Sequence, residues 1–326
     1  MKAAILYNYN DVRIENVPEP ECDDASVIVK IHKASICNGS DGAIIRHERL
    51  VGKNCYQHLT FPLIGGHESS GEIVEVGKAV QGGWKVGDRV TYWCQATGAF
   101  AEYCKIYPDR ISMIKISDNI SYSVGSFMEM LGSTMKYTAE VEMGQTVAVF
   151  GLGPAGQLLC QEARLSGAAD VIGVEVLPLR LQKAKELGAS LTINAKTEDV
   201  VETIRKKVGR VDICIDATGE DVADTIIELC PGKYLMYGCS DKGITINSIT
   251  KAFYQNNFPQ LRGRPLPAVA ALMRQGDKMI SRGLFKLEPL ITHHIPLEKV
   301  VDGMKMVAYE KEKCIKVTVD ITDKEF

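Results

Sequence analysis

No Cys-x-x-Cys pair occurs among the ten cysteines, which stand singly at 22, 37, 55, 94, 104, 160, 214, 230, 239 and 314. A closed four-cysteine zinc knot therefore has no support from spacing. Without an export signal, most of these thiols are expected to be reduced and buried. Also missing is an apolar run of the roughly 18 residues that a membrane helix needs. The opening Met1-Lys2-Ala3-Ala4-Ile5-Leu6-Tyr7 turns polar at Asn8, too soon for the apolar core of a signal peptide. The expected compartment is cytoplasmic, with no membrane partner. Neither charge sign dominates, with 38 Lys plus Arg against 41 Asp plus Glu, and no basic run interleaves with aromatics. A nucleic-acid partner is thereby excluded. Internal repeats, low-complexity stretches, charged tails and flexible linkers are absent too.

What is present is length and apolar content enough for two cores: 326 residues, 45% of them hydrophobic. The first third is rich in short β-type runs broken by glycine, such as Ser26 to His32, Glu72 to Val76 and Arg89 to Tyr92. They predict a barrel-like antiparallel domain. From about Gly144 the texture changes to strands at 147–150, 171–174, 211–215 and 234–237, alternating with helices from 155 and over 178–187, the latter stopped by Gly188. That alternation predicts an α/β fold with a doubly wound parallel sheet. In the second helix Leu179, Leu181 and Leu187 are expected to rest on the sheet while Lys183 and Lys185 stay wet. A further helix over 268–279, the run Leu290-Ile291-Thr292 and a strand near 314–320 are expected to rejoin the first domain.

Gly151-Leu152-Gly153-Pro154-Ala155-Gly156 follows the apolar run Val147-Ala148-Val149-Phe150 and opens the first of these helices. In a dinucleotide-binding turn the first glycine allows the tight bend. The second lets backbone approach a pyrophosphate, and the third lets helix and strand pack closely. Glu175 lies 24 residues beyond Gly151, at the end of the next strand, where a carboxylate can accept hydrogen bonds from both ribose hydroxyls of NAD. The additional phosphate of NADP would meet like charge there, so NAD is expected, with Arg180 partly offsetting the repulsion.

Cys37 and the pair His67-Glu68, inside Gly-Gly-His-Glu-Ser-Ser-Gly, offer a thiolate and an imidazole spaced too far apart for a finger or knuckle. Such a mixture suits an open catalytic zinc site. Zinc that acidifies a hydroxyl, combined with a nicotinamide that accepts hydride, points to alcohol oxidation.

The string from Gly66 to Val80, with its GHE, two residues, G, five residues, G, two residues, V pattern, resembles the signature of the zinc-dependent medium-chain alcohol and polyol dehydrogenases. The likeness continues through Val86 to Val90, Gly98 to Tyr103, the glycine turn and Ile291 to His294. It implies a GroES-like β-barrel catalytic domain over 1–130 and 263–326, wrapped around a Rossmann domain over 131–262. Carried over residue by residue, it puts Cys37 and His67 on zinc-ligand positions and Glu68 on an acid that can ligate the metal. Glu129 falls on the third-ligand glutamate of the polyol branch, although Met130 replaces the proline that usually follows. Ser40, one position later than the relatives' relay hydroxyl, is the candidate first step of the relay; for the missing relay histidine the candidates are His47, otherwise a solvated loop residue, and water. The four-cysteine lobe of many relatives is lacking, so one catalytic zinc and no structural zinc are expected.

The implied activity is reversible, zinc- and NAD-dependent oxidation of a secondary alcohol or polyol, by a homodimer or homotetramer. Within the segment His47 to Phe61, Asn54, Tyr56 and His58 are candidates to shape the pocket, and Arg262 and Arg264 are surface charges or a site for a substrate phosphate. Two alternatives are a zinc-free quinone or enone reductase, disfavoured by Cys37, His67 and Glu175, and a non-catalytic nucleotide-binding protein. The second would have no need of metal ligands.

Overall fold

The computed structural model describes residues 1–48, 60–93, 97–229, 231–238 and 266–326. Asn54, Tyr56, His58, Cys94, Arg262 and Arg264 lie outside the described residues. The described chain divides into two units. One holds the residues up to Gly132 together with those from 266 onward, and the other holds Ser133 to Gly238. Among the described residues no helix is long and apolar enough to cross a membrane.

In the second unit five parallel strands lie in the order Leu191–Asn194, Asp170–Glu175, Thr146–Phe150, Ile213–Asp216 and Lys233–Met236. The first strand in the chain is thus central, with later strands added on either side. Such a strand is buried on both faces, which is why it reads as an unbroken apolar run. Val147 and Val149 join Leu159, Cys160, Ala163 and Ala184 in one core layer, while Ala148 and Phe150 join Ile204, Ile226 and Tyr234 in the other. The helix Pro178–Glu186 ends where Gly188 takes φ +118°, a left-handed conformation that favours glycine. It buries Arg180 and Ala184, one turn apart, and packs half-buried Leu181 against the sheet core. Positions 179, 181 and 187 do not share a face at 3.6 residues per turn, so the expectation holds for Leu181, while Leu179 and Leu187 are half-buried outside that core cluster.

The first unit is built on a sheet in the order Ile291–Pro296, Lys316–Asp320, Val27–Ser35, Glu68–Val76, Arg89–Trp93 and Ser112–Lys115, with Tyr103–Ile106 also on Val27–Ser35. All of these pairings are antiparallel except the first. Val27, Val29 and Ile31 alternate into a core with Ile73, Val90 and Ile106, and Ala34 and Ile36 enter a second core beneath the helix Val300–Tyr309. The last strand of the chain therefore lies against one of the earliest.

Glu162, on the helix Pro154–Leu165, is a buried carboxylate inside the second unit. The hydroxyls of Thr134 and Thr138, one turn apart on the helix Leu131–Thr138, donate to its two oxygens at 2.6 and 3.0 Å. Desolvation outweighs those two bonds and pushes its pKa up to about 7. A raised folded-state pKa means that stability is fully present below the unfolded value and is lost as pH rises through the folded one. On raising pH from 5 to 8 the wild type is expected to lose up to about 3 kcal/mol relative to Glu162→Gln. Thermal or urea unfolding of both proteins across that range checks it, and parallel pH curves would refute it.

Candidate active site

Register brings the candidate ligands together. Ser35 stands opposite Glu68 in the antiparallel pair, so Cys37, just past the end of one strand, and His67, just before the start of the other, fall at the same edge. His67 precedes the regular pleat, so it and Glu68 are not forced to opposite faces. The preceding glycines let backbone pass close to side chains. A Cβ on Gly65 would meet Leu6 at 2.4 Å, and one on Gly66, which has φ +78°, would meet the Phe100 ring at 2.7 Å. Residues 65 and 66 are pinned to Ala4, Ala99 and Phe100 by backbone hydrogen bonds of 2.9 to 3.1 Å.

Cys37 is held from the other side by the helix Ser40–Arg46. Buried Asp41 accepts the Cys37 N–H at 2.7 Å, and the Ser40 N–H donates to Cys37 Sγ at 3.4 Å. The sulfur, an imidazole nitrogen of His67 and a carboxylate oxygen of Glu68 all lie within 4.8 Å of one another. Oε2 of Glu68 forms an ion pair with Lys316, whereas Oε1 is buried with no hydrogen-bond partner among the described residues. A half-buried soft donor, a buried imidazole and a buried carboxylate, with ligand atoms mutually close, fit a divalent zinc ion.

The other expected site residues divide. Glu129 is buried in the one-turn helix Met128–Met130, and its carboxylate is not part of the mutual group. Three of the four expected donors converge, then, and the carboxylate among them is Glu68, which β pairing delivers beside Cys37. Glu129 lies on a separate one-turn helix packed against the strands Glu68–Val76 and Arg89–Trp93. Ser40 is buried with its N–H on the ligand sulfur. His47 is not brought to this group: it is an exposed residue that ends the helix with φ 57° and stacks its ring on Tyr9 at 6.0 Å. Sequence reasoning missed Lys316 and Asp41, since a lone lysine in a terminal strand and an aspartate in the first turn of a short helix carry no spacing signal. A second group, His294, Asp320 and Glu325, has its carboxylates already engaged by the Lys33 ammonium at 2.9 and 2.7 Å, so it is an ion-pair cluster.

In the other unit the glycine turn is stereochemically demanding at two places. Gly151 has φ +83°, and a Cβ on Gly156 would fall 1.9 Å from the Gly151 oxygen, so no larger residue allows this approach of helix to turn. Gly153 is open by comparison, with only the Arg180 guanidinium near its missing Cβ, at 3.6 Å. Pro154 starts the helix, followed by Ala155 on its buried face.

Glu175 differs from the expectation of a carboxylate presented to a ribose. Its Oε2 accepts the Leu152 N–H at 3.0 Å and lies 3.5 Å from Arg180, while Oε1 accepts the Val176 and Leu177 N–H groups at 2.7 and 3.3 Å. Three backbone N–H groups of the turn and strand end are thus met by one side chain. Gln157 completes the brace by donating to the carbonyls of Leu152 and Arg180 at 3.1 and 2.8 Å.

Comparison with known proteins fits this division. A family model for the alcohol dehydrogenase GroES-like domain matches residues 23–142, and one for zinc-binding dehydrogenase matches residues 154–257. The (R,R)-butanediol dehydrogenase of Bacillus subtilis (strain 168) is 31% identical, the alignment covering 98% of this chain and 99% of that protein. The sorbitol dehydrogenase of the same organism is 28% identical, covering 98% and 97%. The crystal structure of 2R,3R-butanediol dehydrogenase from Bacillus subtilis aligns with a TM-score of 0.79 at 28% identity, over 98% of this chain and 99% of that one.

The geometry separates the two glutamates. Glu68→Gln should weaken zinc binding by about 100-fold, and Glu129→Gln by less than about tenfold, in chelator competition at fixed pH. The reverse order would show that Glu129 supplies the third donor.

Proposed function

Because the chain belongs to the zinc-dependent medium-chain alcohol and polyol dehydrogenase family, and is an enzyme of the alcohol dehydrogenase kind, we propose that it oxidises a secondary alcohol or polyol reversibly with NAD, using one zinc per subunit and no structural zinc. The observation that carries this is the convergence of Cys37, His67 and Glu68, with Oε1 of Glu68 buried and without a hydrogen-bond partner among the described residues. Bound zinc would supply the Lewis acid that makes the hydroxyl acidic, and the nicotinamide would supply the hydride acceptor. Cys37, His67 and Glu68 would hold the ion. Asp41 and the Ser40 N–H fix the direction of the Cys37 sulfur, and the Ser40 hydroxyl would take up the released proton. Butanediol and sorbitol, the compounds named for the two relatives, set the substrate class to test: small molecules with adjacent hydroxyls.

In the glycine turn, Gly151, Gly153 and Gly156 would admit the pyrophosphate, with the Leu152 to Ala155 backbone around it and Arg180 beside Gly153. Glu175 places a carboxylate at the end of the second strand, which supports NAD over NADP. The proposed assembly is a cytoplasmic homodimer or homotetramer whose partner is the small-molecule substrate, with no nucleic acid or membrane.

NADH absorbance with a panel of vicinal diols and polyols tests this reading directly. Turnover should fall at least about a thousandfold on chelation or in Cys37→Ala, and return in the wild type with added zinc. Turnover that survives chelation would favour the zinc-free reductase. The KM for NAD should lie below that for NADP, and Glu175→Gln should narrow the ratio by about tenfold. A lower wild-type KM for NADP would overturn the cofactor preference.

A further inference from the structure

Lys316 opens the strand Lys316–Asp320 and is wholly buried. Its ammonium meets Oε2 of Glu68, lies 5.0 Å from the centroid of the Phe127 ring and is 3.8 Å from Sδ of Met130. A buried ammonium is tolerated when an anion is held against it. Here that anion is the same carboxylate that would bind the metal. Glu68 is therefore divided: one oxygen answers the lysine, and the other, Oε1, is left without a hydrogen-bond partner among the described residues.

Two consequences follow from charge alone. With no ion bound, Lys316 neutralises Glu68, so the centre does not hold a lone buried carboxylate and the unit can fold without metal. With zinc bound, one thiolate and one carboxylate balance the ion, and the ammonium then leaves an uncompensated positive charge beside it. Like charges at opposite ends of one carboxylate weaken each other's hold on it. The remaining positive potential favours negative charge on a substrate oxygen. Resting on the function proposed above, we infer that Lys316 is a positioning residue that shares Glu68 with the metal, lowering zinc affinity while keeping the metal-free site stable.

The full-length wild type, Lys316→Met and Lys316→Arg should be compared in zinc affinity, by competition with a chromophoric chelator, and in melting temperature, both zinc-loaded and EDTA-treated. Removing the charge in Lys316→Met is expected to tighten zinc binding at least about tenfold. It should also lower the melting temperature of the EDTA-treated protein more than that of the loaded one, while Lys316→Arg stays near wild type in both. Lys316→Gln takes the place of the methionine variant should that not fold. Unchanged zinc affinity on loss of the charge, or equal melting losses with and without zinc, would reduce Lys316 to a packing residue and overturn the inference. A wild type that takes up no zinc dependent on Cys37 would instead overturn the proposed function itself.

Discussion

One antiparallel register underlies the chemistry of this protein: Ser35 opposite Glu68, on strands that end and begin at the candidate metal centre. It turns a separation of 30 residues between Cys37 and His67 into neighbourhood. The strand Lys316–Asp320 pairs with the other edge of Val27–Ser35 and carries the lysine to the same place. Slipping that register by one residue would send Glu68 to the opposite face. The flanking glycines, the Asp41 bond to Cys37 N and the pinning of residues 65 and 66 to Ala4, Ala99 and Phe100 all protect it.

The nucleotide turn uses a different device. There the parallel sheet supplies a strand end, and side chains close the valences that the turn leaves open. Glu175 takes three backbone N–H groups, and Gln157 bridges two carbonyls. Arg180 is buried against Glu175 and not extended into water, so the charges that bear on cofactor choice also hold the turn in shape. Both centres therefore use ionisable groups as structural fasteners, which ties any change in ligand preference to a change in stability.

Legibility followed the physics of each element. The run 147–150 announced a strand because burial on both faces demands unbroken apolarity, and Gly188 marked a helix end because its φ is +118°. The helix Ser40–Arg46 was hidden by Gly42 in its interior and by its brevity, and it forms because Asp41 and the Cys37 carbonyl anchor its start. The strand Leu191–Asn194 and the helices Val200–Lys207 and Val300–Tyr309 also went unanticipated, their short patterns gaining meaning only against the layers they cover. Of the leucines at 179, 181 and 187 only Leu181 joins the sheet core cluster, because the three positions do not share a helical face.

The chain alone determined the inventory: a thiol, an imidazole and carboxylates in a recognisable string, glycines where backbone must come close, and an acid at a strand end. These are legible because each follows from what one residue can do within its own segment. Tertiary structure alone brought the Glu68 carboxylate within reach of Cys37 and His67, set a lysine nearly 250 residues further on behind it, and turned Glu175 toward its own turn. Those outcomes depend on strand register and on burial, which distant segments impose jointly and which no local run of residues encodes.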